Sequence, residues 1–498
     1  MGRTRRAATD RPNIVWLLSD HHAFAHHRAG PGPSPVLRTH DRIAAGGVTF
    51  PNACAVCPLC TPARASMLTG VYPHRHGMVM NNGDCGSRLD FDPDEKLFAH
   101  FLREAGYRVG YFGKWHVGDE RGPGDYGFEG WSMLGYGYPY WTDAYAEYLR
   151  ERRLPQAAVD VEWHFSDAAR TGAGVLLKDE PDWYRRMECC GVMTTPVETH
   201  EAFFVANRAA EWLEGVAATG DPFCLRVDVW GPHHPYWVAE PFANTVRPAD
   251  IPEYPNFAHD LSDRPESHRR FRDSRDEHGG LRTWDEWRPV VARCYEHVTQ
   301  VDAALGIVLD TLDRLGLDET LVFYTADHGD AIASHGGVFD KDSLMVEETE
   351  RVPLAVRWPG QIAPGSTRDQ LVTQMDLVPT LLDAAGAAGS EPMDGRSLLG
   401  ILADADAPWR EDLLCEHHGH GHPCFQRMLR HGPWKYVAHL GDTDELYDLS
   451  RDPCEGTNLA EDRSRRGVLA DMQRRLAGQM EAFGDGGDDA SRLRKEFI

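Results

Sequence analysis

Three continuous apolar runs in the chain end in polar residues, a pattern that predicts buried parallel strands. The runs, with the polar residues that follow them, are 13–18 with Asp20 and His21, 223–230 with His233, and 320–326 with Asp327 and His328. Strands that are apolar on both faces are typical of parallel sheets covered by helices. Because ligands bind at the carboxyl edge of open α/β sheets, we expect these polar residues to meet at one site.

Helical periodicity fills the intervals between these runs. Apolar residues spaced three and four apart predict helices over 94–105, 201–216, 289–315 and 375–385. The alternation of strands and helices predicts an α/β fold, in which a large, mostly parallel or mixed sheet is sandwiched by helices.

A stretch of small and acidic residues at 386–394 predicts a domain boundary. The elements predicted beyond it are strand-like runs at 434–437 and 445–449 and a charged amphipathic helix at 463–483. We therefore predict a large α/β domain over 1–390, which carries the site, and a smaller α+β domain over 391–498 with antiparallel strands and a terminal helix.

The composition is that of a globular, acidic protein. Of the 498 residues, 42% are hydrophobic and 26% are charged, which suits a sizeable core. The 52 Lys and Arg against 77 Asp and Glu give a formal net charge of −25. This balance disfavours nucleic acid and anionic membranes as partners, so an anionic substrate would need cations gathered locally.

Neither a membrane span nor a secretory signal is predicted. No apolar stretch approaches the ~18 residues that cross a bilayer, and Arg3, Arg5 and Arg6 are not followed by an apolar segment. The 11 cysteines, an odd number in a long chain, favour reduced thiols over a disulfide framework. We therefore expect a cytoplasmic protein.

The most distinctive motif is Cys60-Thr61-Pro62-Ala63-Arg64. Exposed backbone amides at a helix start, together with a nearby arginine, favour the anionic form of a cysteine. Two other interpretations stay open from the residues alone. One is a buried structural thiol, and the other is a metal or iron–sulfur site built from Cys54, Cys57 and Cys60, which lacks a fourth cysteine at a suitable spacing.

With several further motifs, the chain resembles the type I sulfatase family, within the alkaline phosphatase superfamily. Besides the Cys60 motif, the matching segments are Arg11-Pro12-Asn13, Gly113-Lys114-Trp115-His116-Val117-Gly118, Pro232-His233-His234-Pro235, Asp327-His328-Gly329, Lys341, Arg351-Val352-Pro353 and Asp444-Glu445-Leu446-Tyr447-Asp448-Leu449. They span nearly the whole chain. Ala63 replaces the family's common serine, a departure that favours relatives whose members include phosphonate monoester hydrolases.

The resemblance implies an alkaline phosphatase-like fold and the hydrolysis of a small sulfate ester. It also implies that a dedicated maturation enzyme oxidises Cys60 to formylglycine. The aldehyde hydrates to a geminal diol, and one hydroxyl attacks sulfur. Deprotonation of the second hydroxyl re-forms the aldehyde and expels sulfate.

The resemblance further implies one divalent metal, bound by Asp20, Asp327 and His328 together with residue 60 as formylglycine. His21 stands where the family often has an aspartate or a glutamine, so it is either a ligand or a support for one. We expect Ca²⁺, while this oxygen and nitrogen set also suits Mn²⁺ or Zn²⁺.

Cations should converge on a sulfate ester, because negative charge develops on its oxygens during transfer. The resemblance selects Lys114, Lys341 and Arg64 for this role. It makes His116 the base for sulfate release, and it makes His233, with Lys341, the general acid for the leaving group.

Two further clusters have weaker signals. His417, His418, His420 and His422 form a histidine-rich loop that we interpret as solvated or as a wall of the substrate pocket, with metal binding as the alternative. Aromatic residues at 136–141, with Trp183, are interpreted as a small core of their own. Recognition of an aromatic or cationic leaving group is the alternative.

Three functions are compatible with these motifs. The first is a sulfatase, the second a phosphonate or phosphate ester hydrolase on the same scaffold, and the third a binding protein with an inactive site. We expect the first, because Lys114 and His116 are both retained and none of the other site residues is lost. The expected partners are a small sulfate ester and the maturation enzyme, and homo-oligomerisation stays open.

Overall fold

The computed structural model describes residues 11–22, 24, 32–164, 172–178, 189–277, 280–387 and 392–497. Its strands are β1 (Ile14–Asp20), β2 (Val48–Thr49), β3 (Ala53–Cys54), β4 (Arg108–Lys114), β5 (Glu129–Met133), β6 (Ala158–His164), β7 (Gly172–Leu176), β8 (Cys189–Met193), β9 (Phe223–Pro232), β10 (Tyr236–Val238), β11 (Leu321–Ala326), β12 (Leu354–Arg357), β13 (Ser366–Thr367), β14 (Val372–Thr373), β15 (Asp412–Gly419), β16 (Pro423–His431), β17 (Trp434–His439) and β18 (Glu445–Asp448).

Helices of seven residues or more are α1 (Arg38–Ala45), α2 (Cys60–Thr69), α3 (Phe98–Glu104), α4 (Asp143–Arg152), α5 (Glu201–Thr219), α6 (Glu266–Glu277), α7 (Trp284–Leu315), α8 (Leu377–Ala385), α9 (Arg466–Ala482) and α10 (Asp488–Glu496). Shorter helical segments are Pro73–His76, Ser334–Gly337, Glu347–Glu350 and Leu399–Ala403.

An eight-stranded sheet forms the centre of the molecule, in the order β13-β2-β12-β11-β1-β9-β4-β5. The strands from β11 to β5 in this order pair in parallel, whereas β12 runs antiparallel to β11. The predicted α/β fold with a large mixed sheet is therefore confirmed.

Both faces of this sheet are covered, which explains the apolar runs. On β1, Trp16 packs into one core with Phe98 of α3, whereas Val15 and Leu17 pack into a second core with Val205 of α5. Successive side chains of a strand point to opposite faces, so a strand between two helical layers must be apolar throughout.

A second, antiparallel sheet, β15-β16-β17-β18, lies towards the carboxyl end of the chain. Leu429 of β16 and Tyr436 of β17 pack against Leu476 of α9, in a core that also takes in Cys57 and Leu59. This sheet therefore packs directly behind the segment that leads into α2. The domain division at 390/391 stays a prediction.

Two predicted helices start four or five residues away from the observed ones, whereas those predicted from 375 and 463 begin close by, at Leu377 and Arg466. The helix expected from 94 begins at Phe98, because Glu95 pairs with Arg88 and accepts a hydrogen bond from the Asp92 amide (3.3 Å), so a turn forms instead. The helix expected from 289 begins at Trp284, where Thr283 forms a capping box with Glu286.

Strand β4 was not predicted from the sequence, and it carries two glycines. At Gly113, where φ is +111°, an added Cβ would lie 1.9 Å from the carbonyl oxygen of Asp228 on β9. Glycine weakens the strand signal but allows this close approach.

Among the described residues, no helix is long and apolar enough to span a membrane.

Candidate active site

Four neighbouring parallel strands end at one edge of the central sheet. In the order β11, β1, β9 and β4, they lead into Asp327, Asp20, His233 and Lys114. These are the residues that the sequence placed at strand ends, with Lys114 added by β4. The three apolar runs therefore converge as predicted, and β4 adds a fourth strand to the same edge.

Cys60 lies at this edge, as the first residue of α2, and it is buried. Its Sγ is 3.2 Å from His328 Nε2, 3.6 Å from Lys114 Nζ and 3.8 Å from Asp20 Oδ1. Burial raises the pKa of the Cys60 thiol to about 11, against the opposing effect of Lys114. As an unmodified thiol, Cys60 is therefore a poor nucleophile near neutral pH.

The expected metal ligands form a compact group. One ligand atom from each of Asp20, Cys60, Asp327 and His328 lies within 4.8 Å of the others, and all four residues are buried. His328 Nδ1 donates to the Gly329 carbonyl at 2.8 Å, which leaves the Nε2 lone pair facing the group. Two carboxylates, an imidazole nitrogen and a donor on residue 60 fit a divalent cation.

Arg64 lies behind these carboxylates, fully buried. Its Nη2 is 2.9 Å from Asp327 Oδ2 and 3.7 Å from Asp20 Oδ1, and its Nη1 is 3.1 Å from Asp228 Oδ2. Burial favours the neutral form of Asp327, but Arg64 outweighs it and holds the pKa of Asp327 well below its usual value. Arg64 is thus positioned to organise the metal-binding carboxylates.

His21 follows Asp20 in the left-handed region, with φ +61°. Its Nδ1 is 3.0 Å from Asp330 Oδ2, and its Nε2 faces Lys341 and lies 3.4 Å from Asp340 Oδ1. Both ring nitrogens therefore have partners outside the group of Asp20, Asp327 and His328. This geometry favours a supporting role for His21 over a role as ligand.

Two lysines flank Cys60. Lys114 Nζ contacts Asp20 Oδ2, and Lys341 Nζ is 2.9 Å from Asp340 Oδ1. Burial alone would lower the pKa of Lys341, but Asp340 outweighs it and the pKa is raised. Lys341 therefore remains a cation. Because both lysines are buried, little water screens their charge.

His116 has a free proton acceptor at the site. Its Nε2 donates to Asn82 Oδ1 at 3.1 Å, and its buried Nδ1 has no hydrogen-bond partner among the described residues. Burial, with a further contribution from Lys114, lowers the pKa of His116 well below its usual value. The ring is therefore neutral near pH 7, the form that a base requires.

His233 directs its Nε2 towards the site, because its Nδ1 donates to the His234 carbonyl at 2.6 Å. Its ring centroid lies 4.1 Å from that of His21. Burial lowers the pKa of His233, and the neighbouring His234 adds to this effect. The negative charge of a bound ester would favour its protonation. His234 instead lies beside Phe339, with tilted rings whose centroids are 4.6 Å apart.

Several residues that support the site were not identified from the sequence. Asn81 Oδ1 accepts from the Thr61 amide at 2.9 Å, Asn82 orients His116, and the Gln374 side chain donates to the Asp327 carbonyl at 2.5 Å. Asn81 and Asn82 lie in the short segment Asn81–Gly86, and Gln374 begins the 3-10 helix Gln374–Asp376 and also accepts from the Val56 amide at 3.1 Å. No periodicity or spacing in the sequence signals such contacts.

The histidine-rich segment is a loop only in part, because His417 and His418 lie on strand β15 and only His420 and His422 follow it. His417 is buried and its Nε2 donates to the Asp342 carbonyl at 3.0 Å. Burial lowers the pKa of His420 to about 4, and the nearby Lys341 adds to this effect. His418 instead pairs with Glu416 at 3.1 Å. The segment thus approaches the site at His420, near Lys341, whereas His422 is exposed. Its interpretation as a wall of the substrate pocket stays a prediction.

The aromatic segment divides between core and surface. Tyr138 and Tyr140 are buried, and Tyr138 donates to the His234 carbonyl at 2.8 Å. Tyr136 is 43% exposed, with its ring centroid 5.2 Å from that of His116. Trp183 lies outside the described residues. Tyr136 thus combines exposure with proximity to a catalytic candidate.

Known proteins resemble the chain over nearly its full length. The choline-sulfatase of Rhizobium meliloti is 29% identical over 494 residues, covering 95% of this chain and 88% of that protein. The N-acetylglucosamine-6-O-sulfatase of Bacteroides thetaiotaomicron is 26% identical over 527 residues, covering 91% and 84%. The structure of a phosphonate monoester hydrolase from Silicibacter pomeroyi gives a TM-score of 0.76 at 21% identity, covering 95% of this chain and 96% of that one.

Two family models match the chain. The model described as N-sulphoglucosamine sulphohydrolase, C-terminal, matches residues 334–482. The model described as sulfatase matches residues 12–387, which include every strand of the central sheet. The chain therefore belongs to the sulfatase family and is a sulfuric ester hydrolase.

Proposed function

We propose that the protein hydrolyses a small sulfate monoester, with a formylglycine derived from Cys60 as the nucleophile and one divalent metal beside it. The observation that carries this proposal is the position of Cys60. It lies at the start of α2 within the group of candidate metal ligands, 3.6 Å from Lys114 Nζ, and burial keeps its thiol protonated near neutral pH. A protonated thiol is a poor nucleophile, whereas oxidation to formylglycine would give residue 60 a hydroxyl that can attack sulfur.

The residues around Cys60 fit a divalent cation. Asp20, Asp327 and His328 would hold it with residue 60, and Ca²⁺ is the proposed ion, with Mn²⁺ and Zn²⁺ as alternatives. When bound, the ion would polarise oxygens and stabilise negative charge. Lys114 and Lys341 would bind the equatorial oxygens of the ester and orient the sulfur for attack.

The attacking hydroxyl of the hydrated residue 60 would lose its proton to solvent before attack, because the ion and the two lysines would lower its pKa, and the two histidines would carry the other two proton transfers. His233, with Lys341 beside it, would protonate the departing alcohol oxygen as the bond to sulfur breaks. His116 would then take a proton at Nδ1 from the second hydroxyl of residue 60. Loss of that proton restores the carbonyl and releases sulfate, so no water attacks the sulfur.

A phosphonate or phosphate ester hydrolase is the second candidate, because the fold matches that of a phosphonate monoester hydrolase and the same cations suit both groups. An inactive binding protein is disfavoured. Cys60, Lys114, His116 and Lys341 are all present and buried at one site.

The described cysteines carry free thiols, which supports the cytoplasm as the proposed location.

Reaction class is tested by kcat/KM on sulfate, phosphate and phosphonate esters that share a nitrophenol leaving group, since this ratio reports transition-state stabilisation. We expect the sulfate ester to be preferred. We also expect His116→Ala to accumulate a sulfated residue 60, detectable by mass spectrometry of the quenched protein. A much higher kcat/KM for the phosphonate ester, with no trapped species in His116→Ala, would assign the second candidate instead.

A further inference from the structure

Asp228 lies on β9, one layer behind the metal-ligand group, and it gathers the donors of two arginines. Its Oδ2 accepts from Arg64 Nη1 at 3.1 Å, from the Tyr111 hydroxyl at 2.8 Å and from Arg226 Nη2 at 2.9 Å. Arg226 Nε adds a contact to Oδ1 at 2.9 Å. All of these side chains are buried, so the network is shielded from water.

Sheet geometry fixes the position of Asp228. It pairs with Leu18 of β1 on one side and with Gly113 of β4 on the other. The absence of a side chain on Gly113 lets the two backbones approach closely. The carboxylate is therefore held on a rigid central strand.

Arg64 divides its guanidinium between two sets of partners. Nη2 faces the carboxylates proposed to bind the metal, at 2.9 Å from Asp327 Oδ2 and 3.7 Å from Asp20 Oδ1. Nη1 is held on the opposite side by Asp228 and by the Lys114 carbonyl at 3.0 Å. Without the Asp228 carboxylate, Nη1 would keep only a neutral partner.

We propose that Asp228 is a positioning residue for metal binding, which limits Arg64 to one contact with Asp327, through Nη2 at 2.9 Å, and keeps that nitrogen 3.7 Å from Asp20. An unrestrained guanidinium would be drawn towards those two carboxylates, because opposite charges attract strongly in a buried site. It would then compete with the divalent cation for the same oxygens. Asp228 thus allows one arginine to orient the ligands without displacing the ion.

Arg226 compensates the charge of Asp228 and is itself stabilised by aromatic faces. Its guanidinium carbon lies 4.6 Å from the Trp16 ring centroid and 5.6 Å from that of Tyr111. Arg226 has no contact with Asp20 or Asp327 among the hydrogen bonds and ion pairs of the described residues. Replacing Arg226 therefore changes the charge balance around Asp228 without removing a contact to the proposed metal ligands.

The test compares Asp228→Asn, Arg226→Met and the double variant Arg226→Met/Asp228→Asn by calorimetric titration of metal-free protein with Mn²⁺ and with Ca²⁺. Thermal unfolding reports the fold in parallel. We expect Arg226→Met to bind metal like the wild type, because Asp228 still holds Arg64. We expect both variants that lack Asp228 to lose about 10–100-fold in metal affinity, the usual effect of losing an outer-shell partner.

The double variant distinguishes positioning of Arg64 from neutralisation of Arg226. It removes one positive and one negative charge together, so its fold should be less disturbed than that of Asp228→Asn. If Asp228 only neutralises Arg226, the double variant recovers both its unfolding temperature and its metal affinity, and the proposal is wrong. If Asp228 positions Arg64, the unfolding temperature recovers while the metal affinity stays low. The proposal rests on the proposed function, and a wild-type protein that binds neither ion would refute that function separately.

Discussion

At the scale of single residues, neighbouring histidines have different environments. His233 and His234 are adjacent in sequence, yet only His233 directs a ring nitrogen towards Cys60, since its other nitrogen donates to the His234 carbonyl at 2.6 Å. We predict that His233→Ala slows esters of poor leaving groups about 10²–10⁴-fold while nitrophenyl esters lose much less, because protonation matters most for a basic departing oxygen. The measurement is kcat/KM across a series of leaving-group pKa values.

His234→Ala is the matched control for this series. It removes the neighbouring imidazole but keeps the His234 carbonyl that orients His233, so it should not make kcat/KM depend more steeply on leaving-group pKa. An equal loss on all esters in His233→Ala, or a steeper dependence in His234→Ala, would contradict the assignment of His233 as the general acid.

At the scale of elements, α5 holds the end of β9 in place. Glu201, the first residue of α5, accepts hydrogen bonds from the Gly231 amide at 2.8 Å and the Trp230 amide at 3.2 Å, next to the segment that carries His233. Burial raises the pKa of Glu201 from 4.5 to about 8, although both amides oppose the shift. The folded protein therefore keeps a proton there that the unfolded chain loses at lower pH.

This linkage predicts that the free energy of unfolding falls as the pH rises from 4.5 towards 8, since the folded state binds more protons than the unfolded state. Glu201→Gln should remove this contribution, which is at most about 1.4 kcal/mol per pH unit. Urea unfolding at several pH values measures it, with the exposed Glu198→Gln as control. Parallel pH profiles for the wild type and Glu201→Gln would contradict the prediction.

At the scale of the whole molecule, long-range pattern was more informative than local detail. The apolar runs predicted three central strands because burial on both faces leaves a continuous signal. Strand β4 was not predicted because Gly110 and Gly113 interrupt its apolar run. The folded structure explains both glycines, since a side chain at Gly110 would collide with Trp212 and one at Gly113 with β9. The start of α3 was missed because the contact between Glu95 and Arg88 competes with the helix.

The candidate site was predicted from motifs, whereas its supporting contacts were not. Resemblance selected Cys60 and the groups around it, which the structure brings together. Asp228 and Asn82 lie outside those motifs and act through folded contacts. The carboxyl-terminal sheet gives a further example, since Lys435 lies 2.7 Å from Glu455 and 3.6 Å from Glu347, far apart in sequence. Sequence spacing carries no record of such pairs.

The central claim is that residue 60 becomes an aldehyde, and the peptide that contains it tests this directly. We predict that mass spectrometry of active protein, produced with the maturation enzyme, finds an aldehyde or its hydrate at Cys60. Cys54 and Cys57, in the same stretch, should remain thiols and serve as internal controls. Protein made without the maturation enzyme should keep the Cys60 thiol and lack activity. An unmodified Cys60 thiol in fully active protein would contradict the account.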